Sequence, residues 1–282
     1  MKIKSIFCLL LLILFSSCSK NSEATTPVDD LSLSKTLLNI SYGTSFQQVF
    51  DLYLPANRTS ATKTIIFVHG GGWTSGDKAD VLGLLQLLKS NLPNYAFANI
   101  NYRLATTGNP ALPMQINDIQ SVINNLKSNN YGISDKFSFI GVSAGAHLSM
   151  LYSYAYNTNN EVKAVCSIVG LANFTDPNYL NNTTLSGLYL AIAGQTYNEN
   201  PAFFVNASPY HKATADSPPT LLLYGNADSL IPITQGQDMN SRLNQLGVYN
   251  QFRLYNGGHG DWSVTDWNDA YSRIISFINL KF

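Results

Sequence analysis

Residue types that could perform nucleophilic catalysis occur at the ends of three apolar runs of the chain. Ser143 lies between two glycines in GVSAG, Asp228 follows TLLLYG, and His259 lies in NGGHG after the last apolar run. A serine hydroxyl becomes a nucleophile when a histidine takes its proton and a carboxylate orients that histidine. The order serine, aspartate, histidine therefore predicts acyl-transfer chemistry, provided that folding brings the three together.

Each of the three residues also has an ordinary structural interpretation. Ser143 precedes a helical pattern, so it is equally suited to be a helix N-cap. Asp228 could cap or turn the chain after a strand, and His259 could be a solvated loop residue. The pattern G-x-S-x-G arises by chance in roughly one in ten chains of this length, so the rest of the sequence has to decide.

A glycine-rich motif, HGGGW, directly follows the apolar run TIIFV. Three successive glycines allow backbone amide groups to face a small anion without obstruction by side chains. The alternative is a flexible turn, but flexibility alone requires neither the preceding strand nor the following tryptophan. The motif therefore favours a site for an oxyanion.

The other histidines and aspartates fit this chemistry less well. His147 lies four residues after the candidate serine on the same helical pattern, and we expect it to pack against a neighbour. His211 lies in a long connection, where we expect it to line a pocket. Asp261 and Asp266 lie beyond the candidate histidine, in or beside the last helix, so the aspartate after TLLLYG is the better orienting acid.

Apolar runs of strand length alternate with segments of helical periodicity along the chain. The predicted strands are FQQVFDLYLP, TIIFVHG, YAFANINYRL, KFSFIGV, VKAVCSIVG, TLLLYGNAD and QFRLYNG. The predicted helices are VLGLLQLLKSNL, MQINDIQSVINNLKSN, AGAHLSMLYSYAY, TQGQDMNSRLNQLG and DWNDAYSRIISFINLKF. Such alternation predicts an α/β fold with a mostly parallel sheet, helices on both faces, and an early antiparallel strand. Ligands bind such sheets at the carboxyl ends of the strands, where the candidate residues lie.

Composition excludes some classes of partner. The chain has 282 residues, of which 45% are hydrophobic, with 17 basic and 17 acidic side chains. A balanced charge predicts neither a nucleic-acid-binding surface nor a polybasic membrane patch. No cysteine–histidine cluster has the spacing of a zinc site, and serine-based chemistry requires no cofactor. The sequence carries no signal of oligomeric state.

The N-terminus has the pattern of an export signal. Lys2 and Lys4 precede an apolar run from Ile6 to Phe15 and then SSCS, as in a secretory signal peptide. FSSC resembles a bacterial lipobox, which implies cleavage before Cys18 and diacylglycerol on its sulfur. We therefore expect an exported protein anchored by lipid to the outer membrane, with a plain secreted protein as the alternative.

These patterns divide the chain into three parts. We predict a signal peptide over residues 1–17, a flexible lipid-anchored tether over residues 18–35 and one catalytic domain over residues 36–282. Cys166 lies in an apolar run, so we expect it to be a small core residue. Membrane contact is expected through the N-terminal lipid only.

The motifs HGGGW, NYRL, GVSAGAHL, SPPTLLLYGNADSLIP and GGHG resemble those of α/β-hydrolase esterases in order and spacing. The likeness is greatest to the hormone-sensitive-lipase-like and Bacteroidetes feruloyl/acetyl esterase branch, and it runs from Ile40 to the C-terminus. It implies an α/β-hydrolase fold without a large cap domain. The family more often has aspartate where this chain has Asn101. The roles that the resemblance implies are nucleophile Ser143, general base His259, orienting acid Asp228, and an oxyanion hole of the backbone amides of Gly71, Gly72 and Ala144.

The resemblance implies a serine carboxylesterase for short-chain or aryl esters, of the acetyl or feruloyl type, on small molecules or plant polysaccharide. The alternatives are an arylformamidase-like amide hydrolase and an inactive hydrolase fold used for binding. Roughly 45 residues, 172–218, separate two predicted strands, which is more than a simple crossover needs. We expect this segment, with Trp73 and His211, to form part of the pocket wall of an open site.

Overall fold

The computed structural model of the chain describes residues 30–182 and 185–282. The predicted signal peptide, Cys18 and most of the predicted tether lie outside the described residues. Residues Leu31–Phe282 form one compact unit. In the part of the chain described here, no helix has the length and apolar character needed to cross a membrane.

The described residues contain one sheet of eight strands. The strands are β1 Lys35–Ser41, β2 Val49–Leu54, β3 Thr64–Val68, β4 Ala96–Ile100, β5 Phe137–Val142, β6 Val162–Ile168, β7 Thr220–Gly225 and β8 Asn250–Tyr255. Their order across the sheet is β1-β2-β4-β3-β5-β6-β7-β8. Strand β2 pairs antiparallel with β1 and β4, and the strands from β4 to β8 pair in parallel. The predicted mostly parallel sheet and the early antiparallel strand are confirmed, whereas β1 was not predicted as a strand.

Helices cover both faces of this sheet. They are α1 Leu82–Asn91, preceded by a 3₁₀ helix at Lys78–Val81, then α2 Ala111–Ser128, α3 Ala144–Ala155, α4 Pro177–Leu180, α5 Ser186–Ala193, α6 Pro201–Ala207, α7 Pro209–Lys212, α8 Ile233–Gln245 and α9 Val264–Lys281. Helices α2, α3 and α8 contribute to the hydrophobic core on one face. Helices α1 and α9 contribute to the core on the other face, as the predicted architecture requires.

Strand β3 shows why the central apolar runs are continuous. Ile66 and Val68 point into one hydrophobic core, while Ile65 and Phe67 point into the other. A parallel strand covered on both sides needs apolar side chains on both faces, so its pattern does not alternate. Cys166 in β6 is fully buried as predicted, and burial raises the pKa of its thiol.

Four short helices, α4 to α7, lie between β6 and β7. Their aromatic side chains pack around Phe174, with ring centroids 5.7 Å away at Phe204, 6.0 Å at Tyr179 and 6.1 Å at Tyr189. Phe174, Tyr179 and Phe204 are fully buried. These rings belong to the same hydrophobic core as α2, α3 and α8, so the segment is not a separate cap domain.

Candidate active site

The turn between β5 and α3 presents Ser143 in an unusual backbone conformation. Ser143 has φ 53° and ψ −120°, a strained conformation for a residue with a Cβ. Two glycines make the turn possible. A Cβ on Gly141 would lie 2.5 Å from the carbonyl oxygen of Gly145, and a Cβ on Gly145 would lie 2.2 Å from the backbone oxygens of Val68 and His69. Close backbone approach thus fixes the serine at the edge of the sheet.

The three candidate side chains form one hydrogen-bonded row. Ser143 Oγ lies 2.8 Å from His259 Nε2, and His259 Nδ1 lies 2.7 Å from Asp228 Oδ2. A carboxylate only accepts, so Nδ1 carries the proton and Nε2 accepts from the serine hydroxyl. The other carboxylate oxygen of Asp228 accepts from the amides of Leu230 and Ile231 at 2.8 and 2.9 Å. The Asp228 side chain is 0% exposed, so its carboxylate is held in contact with the imidazole rather than with solvent.

The alternative aspartates are engaged elsewhere. Asp261 accepts from the backbone amide of Gly258. Asp266 accepts a 2.8 Å hydrogen bond from the hydroxyl of Ser263, the N-cap residue of α9. Neither carboxylate bonds the imidazole, so the geometry agrees with the choice of the aspartate after β7.

The glycine loop after β3 lies beside this row. Gly71 has φ +110° and Gly72 has φ +56°, both in the region that favours glycine. A Cβ on the preceding Gly70 would lie 3.2 Å from the Cβ of Ser143, so the loop approaches the serine closely. Across the described residues, no acceptor bonds the amide N–H groups of Gly71, Gly72 or Ala144. Backbone donors without partners among the described residues therefore lie on the glycine loop beside Ser143 and at the residue after it.

The NYRL motif supports the glycine loop from beneath. The ring of Tyr102 stacks on His69 with centroids 4.2 Å apart, and its hydroxyl donates to the His69 carbonyl at 2.8 Å. His69 Nδ1 lies 2.7 Å from the Gly70 carbonyl oxygen, to which it donates. Burial lowers the pKa of His69, so the ring stays neutral in this position. These contacts hold the start of the loop against the sheet.

A cavity of about 560 Å³ opens over Ser143 and His259. One wall comes from α9, through Trp267 and Tyr271, which stack with centroids 5.4 Å apart. Asp80 contributes a carboxylate to the lining. The remaining lining residues are the loop glycines 70 to 72 and Gly260 together with Val81, Leu84, Val142, Ile168, Val169 and Leu230. The cavity is thus mainly apolar, with its polar groups near the serine.

The two residues predicted to line the pocket lie elsewhere. Trp73 is 2% exposed and turns inward, where its indole N–H donates to His147 Nδ1 at 3.2 Å. His147 Nε2 donates to the Ala207 carbonyl at 2.8 Å, and burial lowers the pKa of His147 to about 4. His211 is exposed, 2.9 Å from the Thr175 hydroxyl. Trp73 is therefore a core residue, and His147 packs as predicted.

The predicted role of the segment 172–218 also needs correction. None of its described residues lines the cavity over Ser143. Its aromatic rings pack on Phe174 and through Phe174 on Trp73, with centroids 6.0 Å apart, so they face the core. One residue reaches the glycine loop, because a Cβ on Gly72 would lie 3.2 Å from Leu188 Cδ2. The segment therefore supports the loop and leaves the cavity wall to α9.

Sequence reasoning missed the aromatic wall. Trp267 and Tyr271 belong to a helix that was predicted from its periodicity, but no role was assigned to their face. Their spacing of four residues places them on the same side of a helix. Their position shortly after His259 was the available signal. Within the described ranges, no group of histidine, cysteine, aspartate and glutamate is arranged to hold a metal ion.

The parallel sheet, the turn at Ser143 and the chain order serine, aspartate, histidine define a protein of the α/β-hydrolase fold. Solved structures agree. A truncated carbohydrate esterase from gut microbiota has a TM-score of 0.71 and 22% identity, covering 89% of this chain and 99% of its own. A bifunctional GH43-CE protein from Bacteroides eggerthii has a TM-score of 0.76 and 21% identity, covering 89% of this chain and 35% of its own. The chain belongs to the BD-FAE family, whose model matches residues 50–243.

Curated relatives are also named as esterases. Esterase LipC of Mycobacterium tuberculosis is 27% identical over 242 residues, which are 78% of this chain and 59% of that protein. The isoprenylcysteine alpha-carbonyl methylesterase ICME of Arabidopsis thaliana is 26% identical over 271 residues, 86% of this chain and 62% of its own. The chain thus spans less than two thirds of the length of these relatives.

Proposed function

We propose that this chain is a serine carboxylesterase that hydrolyses short-chain or aryl esters, of the acetyl or feruloyl type, carried on carbohydrate. The observation that supports this most strongly is the hydrogen-bonded row of Ser143, His259 and Asp228. It lies next to backbone amides that have no partner in the described residues. That combination suits a reaction in which an oxygen nucleophile attacks a carbonyl and negative charge develops on the carbonyl oxygen.

In the first half of the reaction, Ser143 Oγ attacks the acyl carbon as His259 Nε2 takes the hydroxyl proton. The carbonyl π electrons move to oxygen, and the amides of Gly71, Gly72 and Ala144 stabilise that oxyanion. Loss of one such donor costs about 3–4 kcal/mol of barrier. When the tetrahedral intermediate collapses, the ester bond breaks and the histidine returns the proton to the leaving alcohol.

In the second half, water replaces the alcohol. His259 takes a proton from the water as its oxygen attacks the acyl-enzyme, and the proton returns to Ser143 Oγ as the acid leaves. Asp228 holds the imidazole in the tautomer that leaves Nε2 free to accept. Its two backbone hydrogen bonds, from Leu230 and Ile231, keep the carboxylate from rotating away.

The cavity supports a compact or flat acyl group. Trp267 and Tyr271 give the cavity an aromatic lining, against which an aryl ring or the apolar face of a sugar can pack. The volume of about 560 Å³ suits an aryl-acyl group or a sugar ring. The structural likeness to a carbohydrate esterase from gut microbiota supports the same substrate class.

We also propose that the protein is exported and anchored by lipid at Cys18, on the strength of the N-terminal sequence pattern alone. Metabolic labelling with palmitate tests this, using the full chain and Cys18→Ala. We expect the wild-type chain to be labelled and the Cys18→Ala variant to remain unlabelled. An unlabelled parent that is released into the medium would identify a plain secreted protein.

A fluorophosphonate probe tests the proposed chemistry, because it reacts with activated serines. The wild-type chain should be labelled and Ser143→Ala should not. Hydrolysis of acetylated xylan, methyl ferulate and N-formylkynurenine then separates the substrate classes. Faster turnover of the two esters is expected, whereas preference for the formamide would identify an amide hydrolase. A folded wild-type chain that takes no label would identify an inactive hydrolase fold.

A further inference from the structure

An aromatic row runs from the end of the sheet to the cavity wall. Tyr255 of β8 lies 4.5 Å from Trp262, which lies 4.7 Å from Trp267, which lies 5.4 Å from Tyr271, measured between ring centroids. Interplanar angles between neighbours are 36°, 32° and 29°, so each ring is tilted relative to the next. Tyr255 and Trp262 are buried, and the last two rings are partly exposed at the cavity.

Two members of this row hold the loop that carries the histidine. The indole N–H of Trp262 donates to the Gly258 carbonyl at 3.1 Å. The indole N–H of Trp267 donates to the Gly260 carbonyl, also at 3.1 Å. The two acceptors are the residues on either side of His259. The Trp262 bond lies within the loop, whereas the Trp267 bond ties the loop to α9.

The loop needs such hydrogen bonds because its glycines make a single ordered conformation entropically unfavourable. Gly257 has φ +135° and Gly260 has φ +95°, and glycines lose the most conformational freedom when they are ordered. The His259 side chain is 25% exposed, so packing alone does not enclose it. Asp228 holds the imidazole itself, and hydrogen bonds from the Ala227 amide to Gly257 and from the Gly258 amide to Asp261 also order the loop. The indole bonds to the two carbonyls that flank His259 act together with these contacts to set where the imidazole lies.

We propose that Trp262 and Trp267 are positioning residues that set the angle at which His259 meets Ser143. This inference rests on the proposed function and adds two residues to it. Each indole N–H fixes one peptide group next to the histidine, so loss of either bond lets the imidazole move relative to the serine. Misplacement of a catalytic group by about 1 Å costs on the order of 100-fold in rate.

Three single variants test the proposal. Trp262→Phe and Trp267→Phe remove the indole donors and retain an aromatic ring. Tyr255→Phe is the matched control. It removes the 2.9 Å hydrogen bond from another member of the aromatic row to Asp269, and it leaves the hydrogen bonds to the histidine loop in place. Incorporation of 3-benzothienylalanine at position 267 replaces the N–H by sulfur and keeps the bicyclic shape, which separates the hydrogen bond from packing.

Three measurements are made on each full-length protein. These are the second-order rate of fluorophosphonate labelling, kcat and KM for p-nitrophenyl acetate, and the downfield proton NMR signal of His259 Nδ1–H. We expect labelling and kcat to fall about 10- to 100-fold in the tryptophan variants. KM should change little in Trp262→Phe, because Trp262 does not line the cavity. The downfield signal should broaden in the tryptophan variants and remain sharp in Tyr255→Phe.

The outcomes separate this proposal from the proposed function. Wild-type rates and a sharp signal in both tryptophan variants and the benzothienyl protein would overturn it. An equal loss in Tyr255→Phe, together with a lower thermal midpoint in every variant, would reduce the row to a structural role and also overturn it. If the wild type takes no label, the proposed function fails. The NMR signal still decides whether the indoles position the imidazole.

Discussion

The edge of the sheet at Ser143 and the segment between β6 and β7 are built in opposite ways. At the edge, three polar side chains stand on short turns directly after parallel strands, and close backbone contacts leave room only for glycine at positions such as Gly145. In the segment, aromatic rings pack around Phe174 at distances of 5 to 6 Å. Geometry at the edge is dictated by the backbone, whereas the segment is held by side-chain packing.

The two regions are in contact through the buried side chain of His147. His147, on the helix that starts at Ser143, accepts from the Trp73 indole and donates to the Ala207 carbonyl in the segment. The Phe174 ring lies 5.2 Å from the His147 ring. Stability of the segment and geometry of the edge are therefore expected to be separable, with His147 as their link. Substitutions in each region test this difference.

The largest effect is expected at Asp228. Asp228→Asn should lower kcat about 10⁴-fold, because an amide at this position favours the wrong imidazole tautomer. Stability should change little, since the backbone amides of Leu230 and Ile231 still have an acceptor. Initial rates on p-nitrophenyl acetate measure the loss. Asp266→Asn is the matched control and should stay within about twofold; a loss below tenfold in Asp228→Asn would refute the assignment of the orienting acid.

The second effect concerns the segment alone. Phe174→Ala should lower the free energy of unfolding by about 3–5 kcal/mol, because a buried ring is removed from the centre of the aromatic cluster. Turnover per folded molecule should change less than tenfold, since Phe174 does not line the cavity. Urea unfolding and active-site titration give the two quantities. Leu190→Ala, at a side chain that is 53% exposed, should cost no more than about 0.5 kcal/mol. Loss of turnover without loss of stability in Phe174→Ala would contradict the proposal that this segment contributes to stability and not to active-site geometry.

The third effect is the contribution of His147, which links the two regions, to the pH dependence of the protein's stability. The pKa of His147 is about 4 when folded, because burial disfavours the charged form, and rises to about 6.5 in the unfolded chain. The unfolded chain therefore binds a proton that the folded chain does not, and stability falls as pH drops from about 6.5 to 4. The loss from this residue reaches about 3 kcal/mol.

Urea unfolding between pH 7 and pH 4.5 tests this against His147→Gln. The variant should be less stable at pH 7 and have a shallower pH dependence than the wild type. Other buried groups, including His69, titrate in both proteins, so the difference between the two curves isolates His147. Parallel curves would show that His147 does not carry the pH dependence.

The smallest effect is expected at Asn101, which follows β4. Asn101 accepts from the Lys78 amide at 2.6 Å and donates to Asp77 at 2.7 Å, which ties the 3₁₀ helix to the sheet. Burial opposes ionisation of Asp77, but hydrogen bonds from the Ala79 amide and Asn101 outweigh it and lower its pKa. Asn101→Asp should cost about 1 kcal/mol at pH 7, because it removes a donor and opposes two carboxylates.

The stability of Asn101→Asp should recover toward that of the wild type at low pH. Protonation of one of the two carboxyl groups restores a donor, so the deficit of Asn101→Asp should shrink as pH falls through the carboxylate range. Asn124→Asp, on the exposed face of α2, is the control and should change stability by no more than about 0.5 kcal/mol. A variant as stable as the wild type at pH 7 would show that this contact contributes nothing.

The edge of the sheet could be predicted from sequence because its signals are local. Glycines on both sides of Ser143 and continuous apolar runs before each candidate residue specify a turn and its position. Strand β1 gave no such signal, since most of its side chains are exposed and its apolar pattern is weak. The direction of Trp73 was equally hidden, because it depends on His147 and Phe174, which are distant along the chain.

The aromatic wall escaped prediction for a related reason. Periodicity specified α9 correctly, but it does not say which part of a helix face extends past the edge of the sheet into a cavity. Trp267 and Tyr271 lie on the first turns of α9, next to the histidine loop, and that placement is set by packing between α9 and the sheet. Sequence therefore predicted which side chains would lie together at this edge better than it predicted the surroundings of those side chains.

The most direct test is the crystal structure of the chain after reaction with a phosphonate ester. The phosphorus should be bonded to Ser143 Oγ. His259 Nε2 should lie within hydrogen-bond distance of the phosphorus substituent on the side from which the leaving group departs. One phosphonyl oxygen should lie about 2.7–3.1 Å from the amides of Gly71, Gly72 and Ala144. An adduct on another residue, or a phosphonyl oxygen turned away from the glycine loop, would contradict the account.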